Sequence, residues 1–301
     1  MCGIVGLFCK SSALEPRLGE YLGAMLAQMS DRGPDSAGVA VYRDPAPAGW
    51  SKVTLYSAEV DWEALRGELA EAFGGAQLVG LRERHAVLLV EADAPEAEAW
   101  VRREQPELRV MSAGRSVEIY KEVGRPDGFV EAFRLGDFAG THGLGHTRMA
   151  TESRVTTEGA HPFSTGLDLC LVHNGSLSNH NRLRERLRRE GIEFQTENDT
   201  EVAAGYLSWR LREGASLEEA LTGCLDDLDG FYTFLVGTAD GFAVLRDPIA
   251  CKPAVLAETD DWVAMASEWR AIAVLPGAAD ARMWEPEPTV VYAWQREAAL
   301  V

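Results

Sequence analysis

The chain begins MCGIVGLF, with a cysteine directly behind the initiator methionine. Removal of Met1, which a small second residue permits, leaves Cys2 carrying both a thiol and a free α-amine. Such an amine titrates at roughly 7.7–8.0 against about 10.4 for lysine, so much of it is neutral and can take the thiol proton. One residue then holds a nucleophile and its general base. Attack on an amide also needs donors aimed at the developing oxyanion. His173-Asn174-Gly175-Ser176 offers two, the Asn174 side-chain amide and the Gly175 backbone N–H. Donors of this kind contribute about 2.7–4 kcal/mol each. An amino-acid substrate further needs a cation for its carboxylate and an anion for its ammonium. Arg148 in GHTRMAT suits the first with its planar fork, and Asp199 in ENDTEV suits the second. Taken singly, each has a plainer reading. Cys2 is then a small apolar residue, Asn-Gly a hairpin turn, Arg148 a surface ion pair and Asp199 a helix N-cap.

These groups need rigid elements to hold them. CGIVGLF reads as a short buried strand, and SAGVAVY as a second. Between them, PRLGEYLGAMLAQMSDRG places Leu18, Leu22, Met25, Leu26 and Met29 at helical spacing. GLGHTRMATES reads as a strand running into a loop. The stretch LDLCLVHNGSLSNHNRLRERLRREG reads as a strand over Leu167–His173, a sharp turn at Asn174-Gly175, and a helix from about Asn179 to Glu190 capped by Ser178 or Asn179. A helix follows that turn, so a plain hairpin does not account for it.

From about 60 to 138 the texture changes to helix, strand, helix and one or two further strands. That pattern predicts a small self-contained β-α-β unit inserted into a larger fold. DTEVAAGYLSWRLREG and LEEALTGCLDDL read as helices, and the last third alternates strands with turns. Antiparallel hairpins mixed with amphipathic helices predict layered sheets covered by helices.

Composition narrows the classes. The 301 residues carry 29 basic and 47 acidic side chains, a formal net charge of −18. That field repels a nucleic-acid backbone and an anionic membrane, which removes both as partners. Cys2, Cys9, Cys170, Cys224 and Cys251 are scattered without a C-x-x-C pair. This argues against a disulfide framework, a structural zinc site or an iron–sulfur cluster in this chain. His142 and His146 have the spacing of helical metal ligands, but Gly143 and Gly145 oppose a helix there, so no metal is expected. MCGIVGLF lacks a basic n-region, and no apolar run approaches roughly 18 residues, so a cytoplasmic protein is expected.

The order Cys2-Gly-Ile-Val-Gly, Arg32-Gly-Pro-Asp35-Ser, Gly145-His-Thr-Arg148-Met-Ala-Thr151, His173-Asn174-Gly175 with Asn179, and Asp199-Thr-Glu201 resembles the class II glutamine amidotransferases of the N-terminal nucleophile superfamily. Arg246-Asp-Pro, Lys252-Pro and Ala266-Ser-Glu268 resemble the family's later signatures. The resemblance implies a four-layer αββα fold over residues 2–301, interrupted by the insertion at about 60–138. It implies attack by Cys2 on the glutamine side-chain amide, with Asn174 and Gly175 as the oxyanion hole. Arg148 and Asp199 would hold the substrate's charged ends, Met149, Thr151 and Gly175 would line the pocket, and Arg32 would position the Cys2 loop. His161 in GAHPF is expected to be loop structure with a role at the cleft.

The long stretch from GHTRMATES to RDPIACKPAVLAETD looks most like free-standing amidotransferase subunits of glutamate-synthase-like complexes, such as the small subunit of N-methylglutamate synthase. The chain's end falls where the glutaminase module ends, so ammonia is expected to pass to a partner subunit, and any FMN or iron–sulfur cluster would be the partner's. The family usually has Trp or Phe where Met149 stands and often His where Glu152 stands. Those departures keep two alternatives open: a non-catalytic glutamine-binding or regulatory subunit, and an N-terminal cysteine hydrolase acting on another amide.

Overall fold

A computed structural model describes residues 2–150 and 155–296. Along the chain the first elements are β1 (Gly3–Cys9), α1 (Leu18–Ala27), β2 (Ser36–Tyr42), β3 (Ser51–Tyr56), α2 (Trp62–Phe73), β4 (Ala76–Arg82) and β5 (His85–Val90). Then come α3 (Ala94–Glu104), β6 (Arg109–Gly114), β7 (Val117–Val123), α4 (Pro126–Ala132), β8 (His142–Arg148), β9 (Phe163–Gly166) and β10 (Leu169–Leu177). Helices α5 (His180–Arg189), α6 (Asp199–Arg212) and α7 (Leu217–Asp227) precede β11 (Gly230–Thr238) and β12 (Gly241–Arg246). The last elements are β13 (Val255–Glu258), β14 (Trp262–Ala266), α8 (Trp269–Ile272), β15 (Arg282–Trp284) and β16 (Tyr292–Gln295).

Strand periodicity explains how these elements stack. In β1, Val5, Leu7 and Cys9 pack with Leu18, Leu22 and Met25 of α1. The alternate residues Ile4 and Phe8 pack with Cys170, Val172, Leu235 and Phe242 from other strands. A strand buried on both faces belongs inside a sandwich. Between Ile4 and Phe8, a Cβ on Gly6 would sit 2.5 Å from Leu235 Cδ2, so glycine lets the two sheets close.

One sheet has seven antiparallel strands in the order β15-β13-β14-β1-β8-β2-β7. The other has five, β16-β12-β11-β10-β9. Helices α1, α4 and α8 cover the outside of the first; α6 lies on β9 and β10 of the second, flanked by α5 and α7. Local signals fix the helix starts: Ser216 and Glu219 form a reciprocal capping box on α7. The four-layer αββα arrangement expected from the resemblance is present.

The small unit differs from its expected form. It runs from β3 to β6 as β-α-β-β-α-β, with its own antiparallel sheet in the order β4-β5-β3-β6. Its core is separate, built from Val53, Leu55, Leu65, Leu69, Leu88 and Val101. Residues 51–114 therefore form it, rather than about 60–138. Strand β7 pairs with β2 along its length, from Ser36↔Val123 to Tyr42↔Val117, and α4 packs on α1. Both belong to the main body. Alternation marks a strand but not the sheet it joins.

Three histidines are buried uncharged in this framework. His85 sits among the rings of Tyr56, Tyr120 and Phe133, and His142 stacks on Tyr42. Burial is the main cause that holds His85, His142 and His146 down to about 3 from the usual 6.5. The unfolded chain takes up these protons below about 6.5. The stability they confer is complete above that pH and is lost as pH falls toward 3, by about 1.4 kcal/mol per pH unit for each group. His85→Phe, which keeps the ring packing, is expected to narrow the difference between urea midpoints measured at pH 7 and pH 4.5. An unchanged difference would contradict the account.

Candidate active site

The same strand parity that builds the sandwich aims the chemistry. Strands β1 and β8 pair with Gly3 opposite Thr147 and Ile4 opposite His146. Ile4 and Leu144 face the layer between the sheets, so His146, Arg148 and Cys2, each an even number of residues away, point the same way. From the facing sheet, Cys170 and Val172 of β10 enter that layer, and Asn174 continues the series. Cys2, His146, Arg148 and Asn174 thus converge at one end of the sandwich.

Contacts there fix the start of β1. The Asn174 amide donates through Nδ2 to the Cys2 carbonyl at 3.2 Å and to Ser267 Oγ at 3.1 Å. Arg32 donates through Nε to the same carbonyl at 2.9 Å, and its guanidinium is held by Glu268 at 2.6 Å. The Met149 backbone N–H points at Cys2 Sγ, 3.5 Å away. Asp35 sets that N–H in place: its own N–H donates to the Arg148 carbonyl, and its carboxylate accepts the Ala150 N–H at 2.8 Å.

Asn174-Gly175 is not a turn. Both residues lie inside β10, paired with Thr233 and Tyr232 of β11, and the strand runs on to Leu177. Gly175 interrupts its regularity with φ +151, and a Cβ there would sit 1.9 Å from the Phe231 carbonyl oxygen. Only glycine adopts that backbone so close to a neighbour. After six buried residues, Leu169 to Asn174, Gly175 and Ser176 are exposed. Asn-Gly serves here as an irregularity in a paired strand, which dipeptide statistics cannot separate from a turn.

The groups surround a cavity of about 830 Å³, within the size range of small-molecule sites. Its lining includes Cys2, Arg148, Met149, Asn174, Gly175 and Asp199. Arg148 is 8% exposed. Asp199 is the first residue of α6, and Asn198, not Asp199, is the N-cap, accepting the Thr200 N–H. That leaves the Asp199 carboxylate to accept the Leu177 N–H at 2.9 Å and to stand 3.9 Å from His173. The Met149 side chain is 47% exposed at the cavity wall.

Behind the lining lies a cluster of histidines. His146 stacks on His161 with ring centroids 4.0 Å apart, and Thr200 Oγ1 lies within hydrogen-bond distance of both His161 and His173. Burial keeps the imidazoles of His161 and His173 below their ordinary range. The loop bearing His161 is tied down by Lys121, whose ammonium donates to the carbonyls of Glu158, Ala160 and Pro162.

Eight residues were expected at the site. Seven of them, Cys2, Arg32, Arg148, Met149, Asn174, Gly175 and Asp199, line one cavity. Thr151, like Glu152, lies outside the described residues. Ser267 and Thr200 also contribute, through Asn174 and the histidines; both stand beside residues expected at the site or in its motifs but carry no sequence signal of their own. No three His, Cys, Asp or Glu side chains among the described residues are arranged to hold a metal. No helix among them is long and apolar enough to cross a membrane.

Comparison with known proteins gives consistent matches. Residues 146–274 match the model of a family described as glutamine amidotransferase domain. The chain is 58% identical to the glutamine amidotransferase-like protein GlxB of Rhizobium meliloti (strain 1021), over 99% of this chain and 100% of that one. It is 32% identical to a putative glutamine amidotransferase of Methanothermobacter thermautotrophicus (strain Delta H), covering 89% of this chain and 92% of the relative. Among solved structures, the glutamine phosphoribosylpyrophosphate amidotransferase of B. subtilis superposes with a TM-score of 0.60 at 20% identity. That match covers 98% of this chain, which spans about half (49%) of the solved one. At that identity the likeness concerns the fold alone.

Proposed function

The chain belongs to the class II glutamine amidotransferases, and from that premise we propose that Cys2, freed of Met1, hydrolyses glutamine to glutamate and ammonia through a γ-glutamyl thioester. The observation that carries this reading is the meeting of Cys2 with Asn174, Gly175, Arg148 and Asp199 around one cavity. Arg148 takes the substrate α-carboxylate and Asp199 its α-ammonium, which leaves the side-chain amide reaching toward Cys2. The thiol proton passes to the terminal amine as sulfur attacks the amide carbon. Asn174 Nδ2–H and the Gly175 N–H receive the oxyanion, with one of the two Asn174 bonds seen here exchanged for it. The amine then gives its proton to the departing nitrogen, ammonia leaves, and water cleaves the thioester to release glutamate. Arg32, fastened by Glu268, positions the Cys2 carbonyl and does not react.

Arg148→Leu tests the substrate assignment. Losing a charge-assisted contact to a carboxylate is worth about 1.5–3 kcal/mol, so kcat/KM for glutamine should fall by about 10- to 100-fold. The same variant should lose little against a substrate amide whose α-carboxylate is already removed. Equal losses on both substrates would contradict the role.

Ammonia is then delivered to a partner subunit of glutamate-synthase-like type. The likeness of the stretch from Gly145 to Asp260 to subunits of such complexes supports this assignment. A tagged chain purified from its native host should bring down a flavin-containing partner and support glutamine-dependent amination. Recovery of the chain alone, fully active with free ammonia as its only product, would contradict it. A non-catalytic, glutamine-binding role is the competing reading, motivated by Met149 and Glu152, and it requires a Cys2 that glutamine analogues do not modify.

A further inference from the structure

We propose that His146 is a positioning residue that holds the Asn174 side-chain amide in the single orientation that aims its N–H₂ group at the substrate oxyanion. The inference rests on the oxyanion role of Asn174 given above and extends it to a residue that need not touch substrate.

One acceptor beside Asn174 cannot change roles. The Cys2 carbonyl oxygen only accepts, so the Asn174 atom 3.2 Å from it is the amide nitrogen. The amide oxygen then faces away from Cys2, and there it meets His146 Nε2 at 3.3 Å. His146 Nε2 also lies 3.1 Å from the His173 carbonyl, a second pure acceptor. Both neighbours accept, so Nε2 carries the proton and Nδ1 is bare. Consistently, Nδ1 is buried with no hydrogen-bond partner among the described residues. Stacking on His161 clamps the ring plane, and burial keeps the imidazole neutral down to about pH 3. The donor therefore persists across the working pH range. Without it, the amide oxygen loses its donor, and the Cys2 carbonyl alone is left to tell the two ends apart. A 180° flip would then present oxygen to the oxyanion, which repels where nitrogen attracts.

The test is a double-mutant cycle with a covalent control, on the full chain with Met1 removed. Asn174→Ala is expected to lower kcat by about 10²- to 10³-fold. His146→Phe, which keeps the stacked ring but removes the donor, is expected to lower kcat by about 10- to 100-fold with KM for glutamine within about threefold. The double variant should be no slower than Asn174→Ala alone, because both changes remove the same contribution. His146→Gln, whose amide can supply an N–H near the Nε2 position, should recover a large part of the loss. Alkylation of Cys2 by iodoacetamide proceeds by displacement and forms no oxyanion, so its rate should be unchanged in His146→Phe.

Multiplying losses in the double variant, a loss confined to KM, or an equal fall in alkylation would overturn the inference. Full activity in His146→Phe would overturn it too. A wild-type chain without glutaminase activity, or an Asn174→Ala variant as fast as wild type, would overturn the underlying assignment and this inference with it. These last two results are read from proteins in which His146 is intact, so the two failures stay distinct.

Discussion

Cys2→Ala is expected to abolish glutamine hydrolysis, lowering turnover by at least about four orders of magnitude while leaving the fold intact. Removing the nucleophile from a covalent mechanism costs about as much as removing the whole catalytic set, because its members act as a unit. The residual rate comes from the binding groups alone. The change is small in volume, and Cys2 is only partly buried. Its carbonyl, which Asn174 and Arg32 hold, is backbone and survives the substitution. Thermal unfolding should therefore match wild type within a degree or two, and glutamine should still bind. A Cys2→Ala chain that turns over glutamine at more than about one-hundredth of the wild-type rate would refute the assignment.

Retention of residues ahead of Cys2 is expected to be nearly as damaging. Fusing a tag that ends in a protease site, cut so that Cys2 becomes the first residue, allows one preparation to be assayed before and after cleavage. Before cleavage the α-nitrogen is an amide and cannot accept the thiol proton; afterwards it is an amine with a pKa of about 8. General-base assistance is worth about 10²- to 10⁴-fold, so activity should rise by at least that factor on cleavage. Equal activity in the two forms would show that the proton goes elsewhere.

Much of the site was legible in the sequence because its parts are local. Cys2 announces itself by position, Arg148 by its place at the end of an apolar strand, and Asp199 by its place at a helix start. Strand parity, once known, explains why Cys2, Arg148 and Asn174 meet. What the sequence hid depends on partners. Asn174-Gly175 reads as a turn because nothing local reveals that β11 lies alongside and continues the ladder to Leu177. Val117–Val123 reads as part of the small unit because it follows β6 after two residues, yet its edge is satisfied by β2. His146 looked like half of a failed metal motif. Its bond to the Asn174 oxygen spans 28 positions and two sheets, a relation that no spacing rule contains. Ser267, which accepts from both Ile4 and Asn174, was hidden in the same way.

The most direct measurement is the intact and peptide mass of the protein after exposure to an electrophilic glutamine analogue. We expect a chain lacking Met1 that gains one adduct, mapped to Cys2, at a rate that excess glutamine suppresses. An unmodified Cys2, or labelling that falls on the exposed Cys251 and ignores glutamine, would contradict it.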